Sequence, residues 1–211
     1  TDMPDTRFAF AGGDNSVYET EGAGRRQPFN DDGPAGRKIQ VLYSSDEING
    51  SGLITGIALQ VGTVTTAADY TINVKAGHTA LDELADGPFA GSLVTVANNA
   101  TFNVPAGMPA GAYIWLPLPE SAFSYNGTDN LIIEVETLTA ENDLYLRWST
   151  TGSDTCSLGA LDSATGDAID SHYAIKLRFY GGTVNVTTPG DANDAFPFCN
   201  AVNNKSQYLY L

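Results

Sequence analysis

Two carboxylates spaced for joint chemistry stand near the middle of the chain, Glu134 and Glu136 in Leu131-Ile132-Ile133-Glu134-Val135-Glu136. In a strand that spacing puts both on one face, as the paired carboxyls of a glycosidase require. The same alternation sets them opposite Ile133 and Val135, so they also read as the solvated face of a half-buried strand, and that second reading is preferred. His78 and His172 are the only histidines, too few for a His-based metal centre and a poor basis for a Ser-His-Asp relay. His78 follows a strand pattern and reads as a turn or cap residue, and His172 reads as a strand opener. No Gly-x-Ser-x-Gly elbow, phosphate loop or Cys-x-x-Cys pair is present. The chain is therefore expected to be non-enzymatic and to require no cofactor.

Other side chains suit binding. Calcium takes hard oxygen ligands, and three groups offer them: Asn30 with Asp31 and Asp32, Asp162 with Asp167 and Asp170, and Asp191 with Asn193 and Asp194. None has the spacing of an EF-hand loop. The last is the candidate metal site, because it lies where a C-terminal extension leaves the domain. An Asx-rich turn is the plain alternative. Tyr113, Trp115, Tyr145, Trp148 and Tyr180 could form a sugar platform, although the strands that carry the tryptophans also need large residues for a core. Cys156 and Cys199 allow one disulfide, pinning the C-terminal stretch to the domain or to a neighbour, or else stand as two buried thiols. Asn-x-Ser/Thr acceptors occur at Asn49, Asn99, Asn126, Asn185 and Asn204.

The charge balance narrows the partners. Ten basic residues against 25 acidic ones give a formal net charge of -15 over 211 residues. That argues against nucleic acid and anionic membrane surfaces, which need a basic footprint. No apolar run approaches the roughly 18 residues of a membrane span, so membrane insertion is not expected. A chain opening on Thr1 fits a secreted or cell-surface protein whose signal has been removed.

The elements that must position these groups are strands. Period-2 alternation marks Arg7–Ala11, Ile39–Tyr43, Ile54–Val61, Tyr70–Val74, Leu131–Val135 and His172–Tyr180. Leu93–Val96 and Phe102–Val104 read as short strands around Asn98-Asn99, and Leu144–Trp148 as the neighbour of the strand holding Glu134. Ser44–Ile48 reads as a turn closing into one helical turn. Thr79–Leu84 carries a cap-like Thr with Asp82 three residues on, which predicts one or two helical turns. Residues 150–170 read as irregular. About ten short strands with frequent turn signals predict an all-β fold, a two-sheet antiparallel β-sandwich of jelly-roll type. Residues 1–182 form the sandwich domain, with 1–36 an N-terminal strand and Gly-rich excursion, and 183–211 form an extension.

That extension echoes the domain's opening. Pro28-Phe29 precedes Gln40-Val41-Leu42-Tyr43, and Pro197-Phe198 precedes Gln207-Tyr208-Leu209-Tyr210. The second copy ends in a strand without a following hairpin partner, whose backbone groups must pair elsewhere.

The ordered segments from Gln40 to Ile48, Gly52 to Leu59, Tyr70 to Thr79, Trp115 to Leu118 and Tyr125 to Val135 carry a resemblance. They resemble a repeated β-sandwich module of large secreted, surface-displayed bacterial proteins of the Bacteroidota type, over roughly Pro28 to Phe179. The resemblance implies an adhesive or accessory module without catalytic residues of its own. Together with the echo, it leads to a structural subunit that assembles head to tail into a filament by strand addition. The self-association residues are then Phe196, Phe198, Gln207, Tyr208, Leu209, Tyr210 and Leu211, and the partner is a second copy of the chain. A carbohydrate-binding or adhesive module, with surface glycans as partners, is the alternative.

Overall fold

The structure, a computed structural model, describes residues 6–11, 29, 36–64, 66–118, 122–139, 144–149 and 152–180. Cys199, Asn185, Asn204, the Asp191-Asn193-Asp194 group, the self-association residues Phe196, Phe198 and 207–211, and Asn30, Asp31 and Asp32 lie outside the described residues. So does the proposed domain boundary at 182.

Chain order is β1 (Thr6–Ala11), β2 (Arg37–Tyr43), the short helix α1 (Ser45–Ile48), β3 (Gly52–Val64), β4 (Ala68–Thr79), β5 (Gly87–Pro88), β6 (Val94–Val104), β7 (Tyr113–Trp115) and β8 (Phe123–Tyr125). Then come β9 (Asn130–Thr137), β10 (Leu144–Leu146), β11 (Trp148–Ser149), β12 (Cys156–Ala160), β13 (Thr165–Ile169), β14 (His172–Tyr173) and β15 (Ile175–Tyr180). A seven-stranded sheet runs β5-β13-β12-β2-β9-β4-β6, and a six-stranded sheet runs β1-β15-β3-β10 with β7 and β8 also on β3. The strand pairs among the described residues are antiparallel. The all-β sandwich expected from the alternation is the architecture found.

Alternation explains the core. Ile39, Val41, Ile133, Val135, Ile72 and Val74 point inward from β2, β9 and β4, and meet Ile57, Leu59, Ile175, Leu177 and Phe179 from β3 and β15 in one buried cluster. Each such side chain contributes roughly 1.5–3 kcal/mol by leaving water. Phe29 plugs the same core, fully buried, with its ring edge-on to Tyr70 at 5.1 Å and to Phe102 at 6.1 Å. The expected helical turn is α1. Ser44 caps it by accepting from the Glu47 amide, and Asn49 closes it in the left-handed region at φ 47°.

Four local expectations are corrected. Thr79–Leu84 is not helical: the Thr79 hydroxyl accepts from the Leu81 amide two residues on, a local turn that competes with a helix cap. Residues 80–93 instead form a strap across the outer face of the seven-stranded sheet, where Leu84 and Leu93 pack on Leu42 and Ile132. The two short strands around Asn98-Asn99 are one strand, β6, whose register with β4 shifts near Val74 while Asn99 takes φ 49°. The bulge absorbs what reads as a turn. Leu144–Trp148 does not neighbour β9, whose two sides are taken by β2 and β4; β10 pairs with β3 and β11 with β14. Residues 156–169, read as irregular, form the β12–β13 hairpin, paired with β2 on one side and β5 on the other, with Cys156, Leu158 and Ile169 packed in or against the core.

Replacing Phe29 by Ala should cost about 3 kcal/mol or more in urea unfolding, since an enclosed aromatic leaves a cavity. A loss under about 1 kcal/mol would show that the Phe29 ring is not packed in the core.

Candidate functional site

Glu134 and Glu136 do share a face of β9, as their spacing requires, but that face is not solvated. Their side chains are 5% and 12% exposed, enclosed by Gln40, Lys75 and Asn73, with the strap seated beside them on the same face. Gln40 on β2 ties the strap down: its amide donates to the Ala90 carbonyl at 2.9 Å and accepts from the Ala90 amide at 2.8 Å. Across β9 from Gln40 stands Glu134, and across from that stands Lys75 on β4. The Lys75 ammonium donates to both carboxylates, at 2.7 Å to Glu134 and 2.6 Å to Glu136. Gln40 donates to the second oxygen of Glu134, and Asn73 to the second oxygen of Glu136. All four carboxylate oxygens are thereby bonded.

Electrostatics follow from this packing. Burial pulls the Lys75 ammonium down, but its bonds to the two glutamates outweigh that and leave it above the ordinary lysine value. Burial pushes Glu136 up, and the bonds from Lys75 and Asn73 outweigh it and hold it below the ordinary carboxylate value. A glycosidase pair must reach a sugar oxygen; these carboxylates are instead spent on fastening β2, β9 and β4 together. Sequence reading placed them correctly on one face and missed what covers that face, since the strap's own pattern looked helical.

The histidines are structural in their contacts. His78 accepts from the Asn126 amide at 3.1 Å and stacks on Tyr125, with ring centroids 5.7 Å apart. Asn126 closes an Asx turn, its side chain accepting from the amides of Thr128 and Asp129, and Gly127 takes φ 78° there. His172 is buried against Tyr43, with centroids 5.6 Å apart, and its Nε2 lies 3.5 Å from Glu47. Ser44, Glu47, Asp82, Asn130 and His172 line a small cleft of about 270 Å³ beside it. Burial holds His172 below the ordinary imidazole pKa, against the opposing pull of Glu47 and Asp170.

The remaining sequence candidates separate. Cys156 is fully buried among core residues on β12. Asp162, Asp167 and Asp170 fall along the β12–β13 hairpin, where Asp170 accepts from the Gly152 amide; no group of three or more His, Cys, Asp or Glu suited to a metal occurs among the described residues. Asn99 and Asn126 are exposed, and Asn49 is half-buried at the end of α1. Trp148 belongs to the core, whereas Trp115 is 39% and Tyr180 50% exposed. On the outer face of the six-stranded sheet, Arg178 lies over the Trp115 ring at 5.4 Å and Lys176 over Tyr113 at 5.7 Å. Gly56 permits this: a Cβ there would stand 2.8 Å from the Trp115 ring. No helix among the described residues is long and apolar enough to cross a membrane.

No family model matches the chain, and no curated protein matches it. A solved structure, the cysteine protease and lectin-like domains of a surface layer associated protein of Clostridium difficile, aligns with TM-score 0.40 and 11% identity over 71% of this chain and 32% of that one. The chain thus spans about a third of that structure's length. The sandwich assignment rests on the sheets themselves.

Two predictions follow from the buried groups. Lys75→Met leaves two carboxylates facing each other under the strap and should cost about 3 kcal/mol in urea unfolding at pH 7. The cost should shrink as pH falls through the acid range, where Glu136, held below the ordinary carboxylate value in the fold, takes up its proton; a loss under about 1 kcal/mol at pH 7 would mean that water already solvates the pair. His172 is held neutral by the fold, so the unfolded chain protonates first. Its contribution is intact above about pH 6.5 and falls as pH drops below that. Thermal melts should show Tm declining between pH 6.5 and 5.5 in the unaltered protein and staying flatter in His172→Gln, and equal slopes would overturn the assignment.

Proposed function

We propose that the chain is a non-enzymatic extracellular structural subunit that joins copies of itself head to tail by β-strand addition. The supporting observation is the state of β6. It is the outermost strand of the seven-stranded sheet, and no strand pairs with its far side among the described residues. Val94–Val104 holds no charged residue and no proline, two devices that commonly blunt an exposed edge. The bulges protect the half near Asn99, but from Ala100 to Val104 the register against β4 is unbroken. Beside the strand, a groove of about 380 Å³ runs along Thr95, Val96, Ala97, Asn98 and Ala100 to Pro117, which follows β7 of the other sheet.

In this reading Gln207–Leu211 of one copy pairs with Ala100–Val104 of the next. Main-chain hydrogen bonds supply affinity, and alternate side chains set the register. Residues 181–206 can span up to roughly 85 Å, several times the roughly 16 Å radius of gyration of a domain this size, so reach is not limiting. A head-to-tail contact that does not close into a ring gives an open filament. A second reading, an adhesive module that binds saccharides, is favoured by one specific observation: the exposed Trp115 braced by Arg178 on the opposite sheet's outer face.

Negative-stain electron microscopy of the full chain tests the first reading. Filaments are expected from the unaltered chain, and discrete particles from the Thr101→Lys, Asn103→Lys double variant and from a chain ending at Gly182. Discrete particles from the unaltered chain would overturn self-assembly, and filaments that survive both lysines would place the acceptor edge elsewhere.

A further inference from the structure

We infer that the outer face of the six-stranded sheet binds an acidic saccharide chain, with Trp115 stacking on a sugar ring and Arg178 taking its carboxylate. This rests on the second reading, that of an adhesive module, and names the class of ligand.

The face is built by register. Ile57 with Leu177, and Leu59 with Ile175 and Ile114, point into the core. The alternate positions therefore face outward: Gly56 beside Arg178, Ala58 between Lys176 and Trp115, and Gln60 beside Tyr113. Two of the chain's ten basic residues thus stand on one strand, each against an aromatic ring from β7. At Gly56 the missing side chain opens a space in which the β15 guanidinium and the β7 indole meet; a Cβ would stand 2.8 Å from the ring and 3.2 Å from Arg178 Nε.

Arg178 is fixed before any ligand arrives. The register shift between Arg178 and Phe179 leaves Thr55 as an extra residue on β3. Arg178 Nε donates to the Thr55 hydroxyl at 3.2 Å and a terminal nitrogen donates to the Thr55 carbonyl at 2.8 Å. Among the described residues it makes no ion pair with a carboxylate, so its charge is answered by neutral oxygens and a π-face. A planar guanidinium held this way suits a carboxylate, and an exposed indole lying across the sheet suits the flat face of a pyranose.

Other occupants fit less well. A peptide strand needs a sheet edge for its backbone, and this is the middle of a face. A nucleic acid needs many cations along its phosphates, and the chain's net charge is -15. That charge does not forbid an anionic saccharide, because the Debye length of about 8 Å at physiological salt screens carboxylates farther away, leaving the local Lys176 and Arg178 to decide.

The test is biolayer interferometry of the full chain on immobilised polygalacturonate and on its methyl-esterified form. The acidic polymer should bind at least tenfold more tightly than the ester. Trp115→Ala should weaken both at least tenfold, and Arg178→Gln should weaken the acidic one alone. Because Arg178 also braces Thr55, Lys176→Gln provides a second variant expected to lower the acid preference without touching that brace. Equal binding of both polymers, unmoved by either cation change, overturns the acidic ligand while leaving the adhesive reading standing. No binding of either polymer by the unaltered chain overturns both.

Discussion

Strand β9 is covered on both faces, and much of the molecule follows from that constraint. From Leu131 to Thr137 every residue is buried. One face meets the opposite sheet through Leu131, Ile133 and Val135. The other face would be an ordinary polar exterior if the strap did not lie across it. Leu84 and Leu93 of the strap seat on Leu42 and Ile132, the neighbouring glutamates are buried on the same face, and a buried carboxylate without partners is costly. Lys75, Gln40 and Asn73 answer that cost from the two flanking strands. The polar row therefore joins three strands and the strap, so a change at Lys75 acts on all of them.

The two proposed binding surfaces lie on different parts of the sandwich and draw on different physics. At β6 the currency is backbone: an uncharged edge with amides and carbonyls facing away from the sheet, which specifies little until a partner's side chains set the register. On the outer face of the six-stranded sheet it is side chains held in fixed relation by a bare Gly56 and a bulge at Thr55. β6 belongs to one sheet and Trp115 to the other, although the groove beside β6 reaches Pro117, two residues beyond Trp115. A polymer of such subunits would display the Trp115 face repeatedly, so weak individual contacts would add through avidity.

Much of the fold was legible because a half-buried strand writes its environment into alternate residues. Ile39, Val41, Tyr43, Ile72, Val74, Ile133, Val135, Leu177 and Phe179 alternate along their strands in the sequence, and all are buried. The helical turn expected at Ser44–Ile48 is present, and the structure adds that Ser44 caps it and a left-handed Asn49 closes it. Failures came where local signals competed with distant packing. Thr79 offers a cap, but its segment gains more by crossing the sheet than by coiling. Residues 156–169 carry only scattered large apolar side chains, Leu158, Leu161 and Ile169, and it is pairing with β2 and β5 that makes them strands, which no side-chain period reports.

By itself the sequence determined the class of fold, the faces of most strands, the poverty of catalytic groups and the acidity that disfavours nucleic acid and anionic membranes. These are properties of composition and of local period. Tertiary structure decided which polar residues are buried and which aromatics are exposed. Glu134 and Glu136 are buried because Gln40, Asn73 and Lys75, from strands 59 to 94 residues upstream, close around them, and Trp115 is exposed while Trp148 is buried, although both stand in short strands. Period tells a residue which side of its own strand it is on, but what lies against that side is set by chain segments far away in sequence.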